Sequence, residues 1–332
     1  MNRWLQQRNK MIQNAVSDVH EWDMERQGTP LMKKNIFVLT LIMAVLAISC
    51  CVLGIFSKEK NQYPAICNAY GQETVLYQIG LYGRDSVSMA SQAVAQDRVT
   101  LFVGVPFLLF TLYMAMKFER KWFLFLAGIV GYFFYAYIPY ATMVAYNNCF
   151  LLYIMLMAVG LYNFILCMIH ISKTEFPADY FKYFPVRILA VYEAVTGLLL
   201  CFMWLSRIIT AACLQTAPIG LEHYSTLTIQ ALDLAVIVPV SFICAYLLVK
   251  GNRMGYILCI VLQVKGIAMA MAVTAMNIEM VRNGVTLSIM ELSFFPVIIL
   301  TGIAFLLRIC LGIRKREREI QVEPLSFRIL HL

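Results

Sequence analysis

Charge is scarce in this chain: only 14% of its 332 residues are Asp, Glu, Lys or Arg, against about 25% in soluble globular proteins. So thin a polar coat excludes a soluble enzyme or a soluble nucleic-acid-binding module. Histidine is rarer still, with His20, His170, His223 and His331 far apart in the sequence. Neither a CxxC nor an HExxH spacing occurs. The sequence therefore presents no zinc or haem site and implies no cofactor. Ten cysteines are present, but Cys50, Cys51, Cys167, Cys201, Cys244, Cys259 and Cys310 fall inside apolar runs, where cysteine behaves as a small apolar residue. Only Cys67, Cys149 and Cys213 fall near one common face, and spacing does not say which two of them would bridge.

What is abundant is hydrocarbon: 61% of residues are hydrophobic and the mean hydropathy is +0.72. Apolar runs long enough to cross about 30 Å of lipid recur along the chain. Eight spans are predicted, at about residues 36–56, 99–116, 122–145, 149–171, 188–210, 227–249, 254–276 and 290–313. The fold expected is all-α, a polytopic bundle of eight transmembrane helices. It divides into a segment over 1–34, a membrane domain over 35–313 with an external segment at 57–98, and a basic tail over 314–332, "RKRER" at its start.

Residues 1–30 differ in kind. Trp4, Leu5, Met11, Ile12, Ala15, Val16, Val19 and Trp22 recur at helical spacing among polar residues, which predicts an amphipathic N-terminal helix. Such a helix lies on a membrane surface or packs against the protein's own cytoplasmic face. Between the spans, Lys and Arg alternate in density. The connections on the side of the termini carry nineteen, against five on the other side. The positive-inside bias then puts both termini in the cytoplasm of a multi-pass plasma-membrane protein. The net charge of +8 is explained by topology and calls for no nucleic-acid partner; the partners expected are the lipid bilayer and a small solute or lipid ligand.

Residues 84–99 contain no Pro, and no Gly after Arg84. The second helix is therefore expected to begin several turns outside the hydrocarbon. Asp85, Gln92 and Gln96 share one face of it at spacings of seven and four, with Asp97 and Arg98 at the membrane rim. Ser86, Ser88, Ala90, Ser91, Ala93 and Ala95 would let another helix approach closely. This stretch reads either as close packing or as the outer lip of a site. The tyrosine-rich block "GYFFYAYIPYATMVAYNNCF" reads either as an interfacial aromatic belt or as the lining of a cavity.

Three ionisable residues lie well inside spans: Glu193, Asp233 and Lys265. Each costs about 2.5–3.5 kcal/mol near a helix centre, so such groups face the interior and find partners. With a rise of 1.5 Å per residue, Asp233 lies about 10 Å below the outer surface and Lys265 roughly 15 Å from either. Only "KGNR" separates their helices. A direct Asp233–Lys265 ion pair is predicted, with Glu193 deeper and Asp97 and Arg98 near the entrance. Such a ladder suits transport of a proton or small solute, and Pro239 is placed to kink the sixth span. A membrane-embedded enzyme acting on a lipid or isoprenoid, with Asp85 and Asp97 as the candidate acid or base, is the second reading. A non-catalytic sensory or assembly subunit, whose charges serve packing alone, is the third.

Four stretches, "GRDSVSMASQAVAQDRVTLFVGVP", "YNNCFLLYIMLMAVGLYNF", "QALDLAVIVPV" and "MGYILCIVLQVKGIAMAM", together resemble a set of uncharacterised bacterial multi-span membrane proteins. The likeness covers most of residues 80–275 and implies a bacterial plasma membrane. No activity is established for that set, so it supplies no site residues.

Overall fold

In the computed structural model of the protein, residues 30–118, 120–176 and 179–329 are described, with side chains as far as residue 319. Eight helices among these are long and apolar enough to cross a membrane. They are α1 (Pro30–Phe56), α2 (Val87–Phe118), α3 (Lys121–Thr142), α4 (Phe150–Lys173), α5 (Val186–Leu214), α6 (Thr228–Val249), α7 (Arg253–Arg282) and α8 (Ile289–Ile329). The chain is an all-α, multi-pass membrane protein. The amphipathic helix expected over residues 1–30 lies outside the described residues, save for Pro30, the first residue of α1.

Several boundaries follow from local chemistry. The side chain of Ser86 caps α2 by accepting a hydrogen bond from the Met89 N–H at 3.0 Å, which fixes the start at Val87. The helix thus begins well before the apolar run, as its Gly- and Pro-free sequence predicts. The cap also leaves Asp85 outside the helix, so it does not share a face with Gln92 and Gln96; that expectation is corrected. At the other end, α8 does not stop at residue 313 but continues unbroken through "RKRER". There Glu317 accepts hydrogen bonds from Lys121 Nζ (2.8 Å) and the Tyr180 hydroxyl (3.1 Å), tying the helix to neighbouring connections.

Two helices carry a single widened turn directly ahead of a proline. In α2 the turn spans Thr100–Gly104, and in α6 it spans Asp233–Ile237. The Val105 N–H bonds to the Thr100 carbonyl and the Val238 N–H to the Asp233 carbonyl, both five residues back. Pro106 and Pro239 have no N–H to give, and their rings crowd the carbonyl four residues earlier. A π-type turn takes up the misfit without breaking the helix. The kink expected from Pro239 is realised as this turn, with Asp233 as its first residue.

Burial ranks the helices. Within the candidate spans, 72% of α3 is buried against 11% of α8, so α3 is the central post of the bundle. It packs against α4, α7 and the second half of α2, while α7 packs against the first half of α2, α6 and α8. The helix α1 joins through Thr40, which accepts a hydrogen bond from Asn163 at 2.9 Å, and through Cys51 beside the Tyr137 hydroxyl. Residues 57–86 fold over one end of the bundle and contain a two-residue hairpin, β1 (Ile66–Cys67) with β2 (Glu73–Thr74), in antiparallel register. Cys67, Cys149 and Cys213 are all free thiols.

At Gly54 the backbone of α1 approaches the interior so closely that a Cβ would lie 1.9 Å from Asp97 Oδ2 and 2.8 Å from the Tyr82 hydroxyl. Gly54→Ala is therefore expected to cost about 1–3 kcal/mol by overpacking. By contrast, Gly266→Ala, where nothing lies within 4 Å, should be neutral or gain up to about 1 kcal/mol from helix propensity. Thermal unfolding of the two variants in detergent compares them. Equal stabilities would mean that α1 does not seat Gly54 against Asp97.

Candidate functional site

Helices α2, α3, α5, α6, α7 and α8 enclose a largely apolar cavity of about 1060 Å³. Six of its lining residues form a connected run. Asp233, at the first position of the widened turn of α6, accepts hydrogen bonds on one oxygen from the Tyr135 hydroxyl of α3 and on the other from Trp204 Nε1 of α5, the latter at 2.8 Å. Lys265 of α7 lays its ammonium on the face of the same Tyr135 ring, 3.8 Å from the centroid. On the other flank, the Arg207 guanidinium lies 5.3 Å from the Trp204 ring and pairs with Glu291 of α8 at 2.5 Å. Five helices thus contribute to one run of groups: Lys265, Tyr135, Asp233, Trp204, Arg207 and Glu291.

The direct Asp233–Lys265 ion pair is not formed; among the described residues no nitrogen–oxygen contact within 4.0 Å joins them. The phenol of Tyr135 stands between them, giving its hydroxyl to the acid and its ring to the base. With both oxygens of Asp233 engaged by neutral donors, the ammonium is held by a cation–π contact. Both side chains nonetheless line the same cavity. Deeper in, Glu193 of α5 also lines it, 4% exposed, and accepts a hydrogen bond from Gln263 Nε2 at 2.8 Å.

The residues expected at the entrance are dispersed. Gln92 and Gln96 line the cavity, Gln96 donating to the Tyr132 hydroxyl at 2.7 Å. Asp97 does not line the cavity. Ten residues into α2, it lies roughly 15 Å along the helix, 1% exposed, where it accepts hydrogen bonds from Tyr82 (2.6 Å) and Tyr140 (3.0 Å). Arg98, one position on, is exposed and pairs with Glu279 of α7 at 2.8 Å. The aromatic-belt expectation is corrected for most of its members. Tyr132, Tyr135, Tyr137 and Tyr140 are at most 8% exposed and face the interior, while Tyr146 is 72% exposed.

Asp85 belongs to a second acidic cluster, built where residues 57–86 meet the α5–α6 connection. Its Oδ1 accepts from the Ala145 N–H (2.8 Å) and the Tyr224 hydroxyl (2.9 Å), while its Oδ2 is buried without a partner. Glu222, which lines the cavity, accepts from the Ser86 hydroxyl. Burial pushes the Asp85 carboxyl up to about 7, against the two hydrogen bonds and with the nearby Glu222 charge adding to the rise. Burial likewise raises Glu222 and lowers His223, the neighbour of Tyr224.

Sequence reasoning missed Trp204, Glu291 and Glu222. Trp204 and Arg207 stand three apart on α5, a spacing that puts them on one face. Comparison of the chain with family models, with curated proteins and with solved structures found no match. Its site is accordingly read from its own chemistry.

The Asp85 cluster gives a pH signature. A carboxyl whose folded-state value is raised contributes stability that is complete below about 4 and is lost as pH rises through about 7. The contribution is at most about 4 kcal/mol. Thermal unfolding of the intact protein should fall across that window, and Asp85→Asn should flatten the fall. An unchanged pH profile in the variant would remove Asp85 as its source.

Proposed function

We propose that the protein is transporter-like and that its cavity receives a small, largely apolar solute bearing an acidic group, seated on Lys265. The observation that carries this reading is the state of Lys265. Its ammonium has three N–H donors and rests on a ring face in an apolar cavity, while the nearest acid, Asp233, is already served by Tyr135 and Trp204. An unmet donor set in a cavity of this size favours an acceptor brought by the ligand. The apolar walls would take the rest of the solute.

The face that carries residues 57–86 is proposed to be external, with both termini cytoplasmic, because nineteen Lys and Arg flank the spans on one side and five on the other. Entry would then be from outside, past Gln92 and Glu222, with Glu193 at the inner end of the path. The sequence resemblance makes a bacterial plasma membrane the proposed setting. The packing reading predicts a sealed Asp233, whereas Asp233 and Lys265 line an open cavity. The lipid-enzyme reading drew on Asp85 and Asp97, neither of which lines it.

Decanoate and decylamine, alike in tail and opposite in charge, test the reading on protein in nanodiscs. Trp204 fluorescence reports binding in a background where Trp4, Trp22 and Trp122 are replaced by Phe. Decanoate should bind and decylamine should not, and Lys265→Met should weaken decanoate by roughly tenfold or more, the about 1.5–3 kcal/mol of a charged hydrogen bond. Equal binding of both probes, or no effect of Lys265→Met, would refute the acidic-solute reading. Asp233→Asn, which keeps one acceptor oxygen, should leave decanoate affinity within a few-fold.

A further inference from the structure

At the deep end of the cavity three side chains from three helices converge: Glu193 of α5, Cys244 of α6 and Cys259 of α7. One carboxylate oxygen and the two sulfurs all lie within 4.8 Å of one another, and all three residues are buried. The convergence is built by the α6–α7 crossing. A Cβ at Gly255 would lie 2.6 Å from the backbone of Leu247 and Leu248, so the two helices touch there, and the Cys244 thiol reaches the Gly255 carbonyl at 3.7 Å. The sequence treats both cysteines as small apolar residues; the fold places them with an acid.

We propose that Glu193, Cys244 and Cys259 hold a thiophilic divalent metal ion of the zinc class, with its fourth coordination position open to the cavity. Two thiolates and a carboxylate are a borderline-soft donor set, suited to zinc and cadmium and ill suited to magnesium or calcium. In a tetrahedral site with metal–sulfur bonds of about 2.3 Å and metal–oxygen bonds of about 2.0–2.2 Å, ligand atoms stand roughly 3.5–3.8 Å apart. Closing from the present span needs a shift of about 1 Å, within reach of side-chain rotation.

Two further observations support the assignment. Among the described residues no Lys, Arg or His nitrogen lies within 4.0 Å of the Glu193 carboxylate, which accepts its hydrogen bond from the neutral Gln263 amide, so a cation there would meet an uncompensated buried acid. Glu193 and Gln263 line the cavity whereas neither cysteine does, which gives an ion a route in past oxygen donors to the sulfurs behind. Binding displaces the two thiol protons, which leave by the same route. Three protein ligands with an open fourth position are the pattern of a working site more than of a structural one.

The probe is cadmium, added to purified full-length protein carrying Cys67→Ser and Cys213→Ser to remove the exposed thiols. One ion per chain should bind, with an ultraviolet sulfur-to-cadmium charge-transfer band and an X-ray absorption shell of two sulfurs plus light atoms. Cys244→Ala and Cys259→Ala should each weaken binding by roughly tenfold or more, since even outer-shell partners are worth about 10- to 100-fold. Glu193→Gln should weaken binding while keeping the band, and Cys50→Ala should change neither. A cadmium shell without sulfur, or a band that survives in both Cys244→Ala and Cys259→Ala, overturns the proposal. Should either alanine variant fail to fold, the sulfur count in the parent protein, with Cys50→Ala as its control, still decides.

Discussion

The structure depends on the tyrosine hydroxyls of one helix meeting the buried polar groups of its neighbours. A carboxylate or amide in a bundle surrounded by lipid has no water to turn to, and each unmet group costs several kcal/mol. Helix α3 answers this on two sides. Tyr140 shares its one hydroxyl proton between Asp97 and the Ala93 carbonyl of α2, Tyr132 accepts from the Gln96 amide and bonds to the Thr100 hydroxyl of the same helix, and Tyr135 donates to Asp233 of α6. Because α3 is the most buried span, these bonds lie where they are worth most. They also fix the rotation of α2 and α6 about α3.

The same helices share a backbone device. "TLFVGVP" in α2 and "DLAVIVP" in α6 match at Leu, Val, Val and Pro, and each forms a widened turn at its first five residues. In each, the first residue is the one an α3 tyrosine touches: Thr100 by Tyr132 at 3.1 Å and Asp233 by Tyr135. The proline forces the turn, and the turn sets the direction of the polar side chain that begins it. Local sequence and tertiary hydrogen bond thus reinforce one another.

Much of this is legible in the sequence and some is not, for identifiable reasons. Span number and approximate limits follow from apolar run length, and the early start of α2 from the lack of breakers after Arg84. The interior placement of Asp233, Lys265 and Glu193 follows from the cost of exposing charge to lipid. The partner of Asp233 does not follow, because depth and helix adjacency identify Lys265 as near without revealing a tyrosine from a third helix between them. Tyrosine is ambiguous by nature, since an amphipathic ring suits an interface and a buried carboxylate equally well. The Glu193, Cys244 and Cys259 cluster was illegible for a related reason: its members are 51 and 15 residues apart, and no local spacing announces it.

The molecule contains its own comparison between a sealed carboxylate and one that opens onto a cavity. Asp97 and Asp233 both accept from α3 tyrosines, and both sit in apolar surroundings. Around Asp97 the shell is complete: Tyr82 and Tyr140 donate, Tyr153 stands 3.5 Å behind the Tyr82 hydroxyl, and Gly54 closes the last side. Nothing can approach it, and its position fastens α1, α2, α3 and α4. Asp233 likewise has two neutral donors, a phenol and an indole N–H, but opens onto a large cavity and has a cationic neighbour on the far side of its tyrosine. A tyrosine donor from α3 therefore does not decide the role of a buried acid. What distinguishes the two is access and the second charge, and both belong to the α5–α8 side of the bundle.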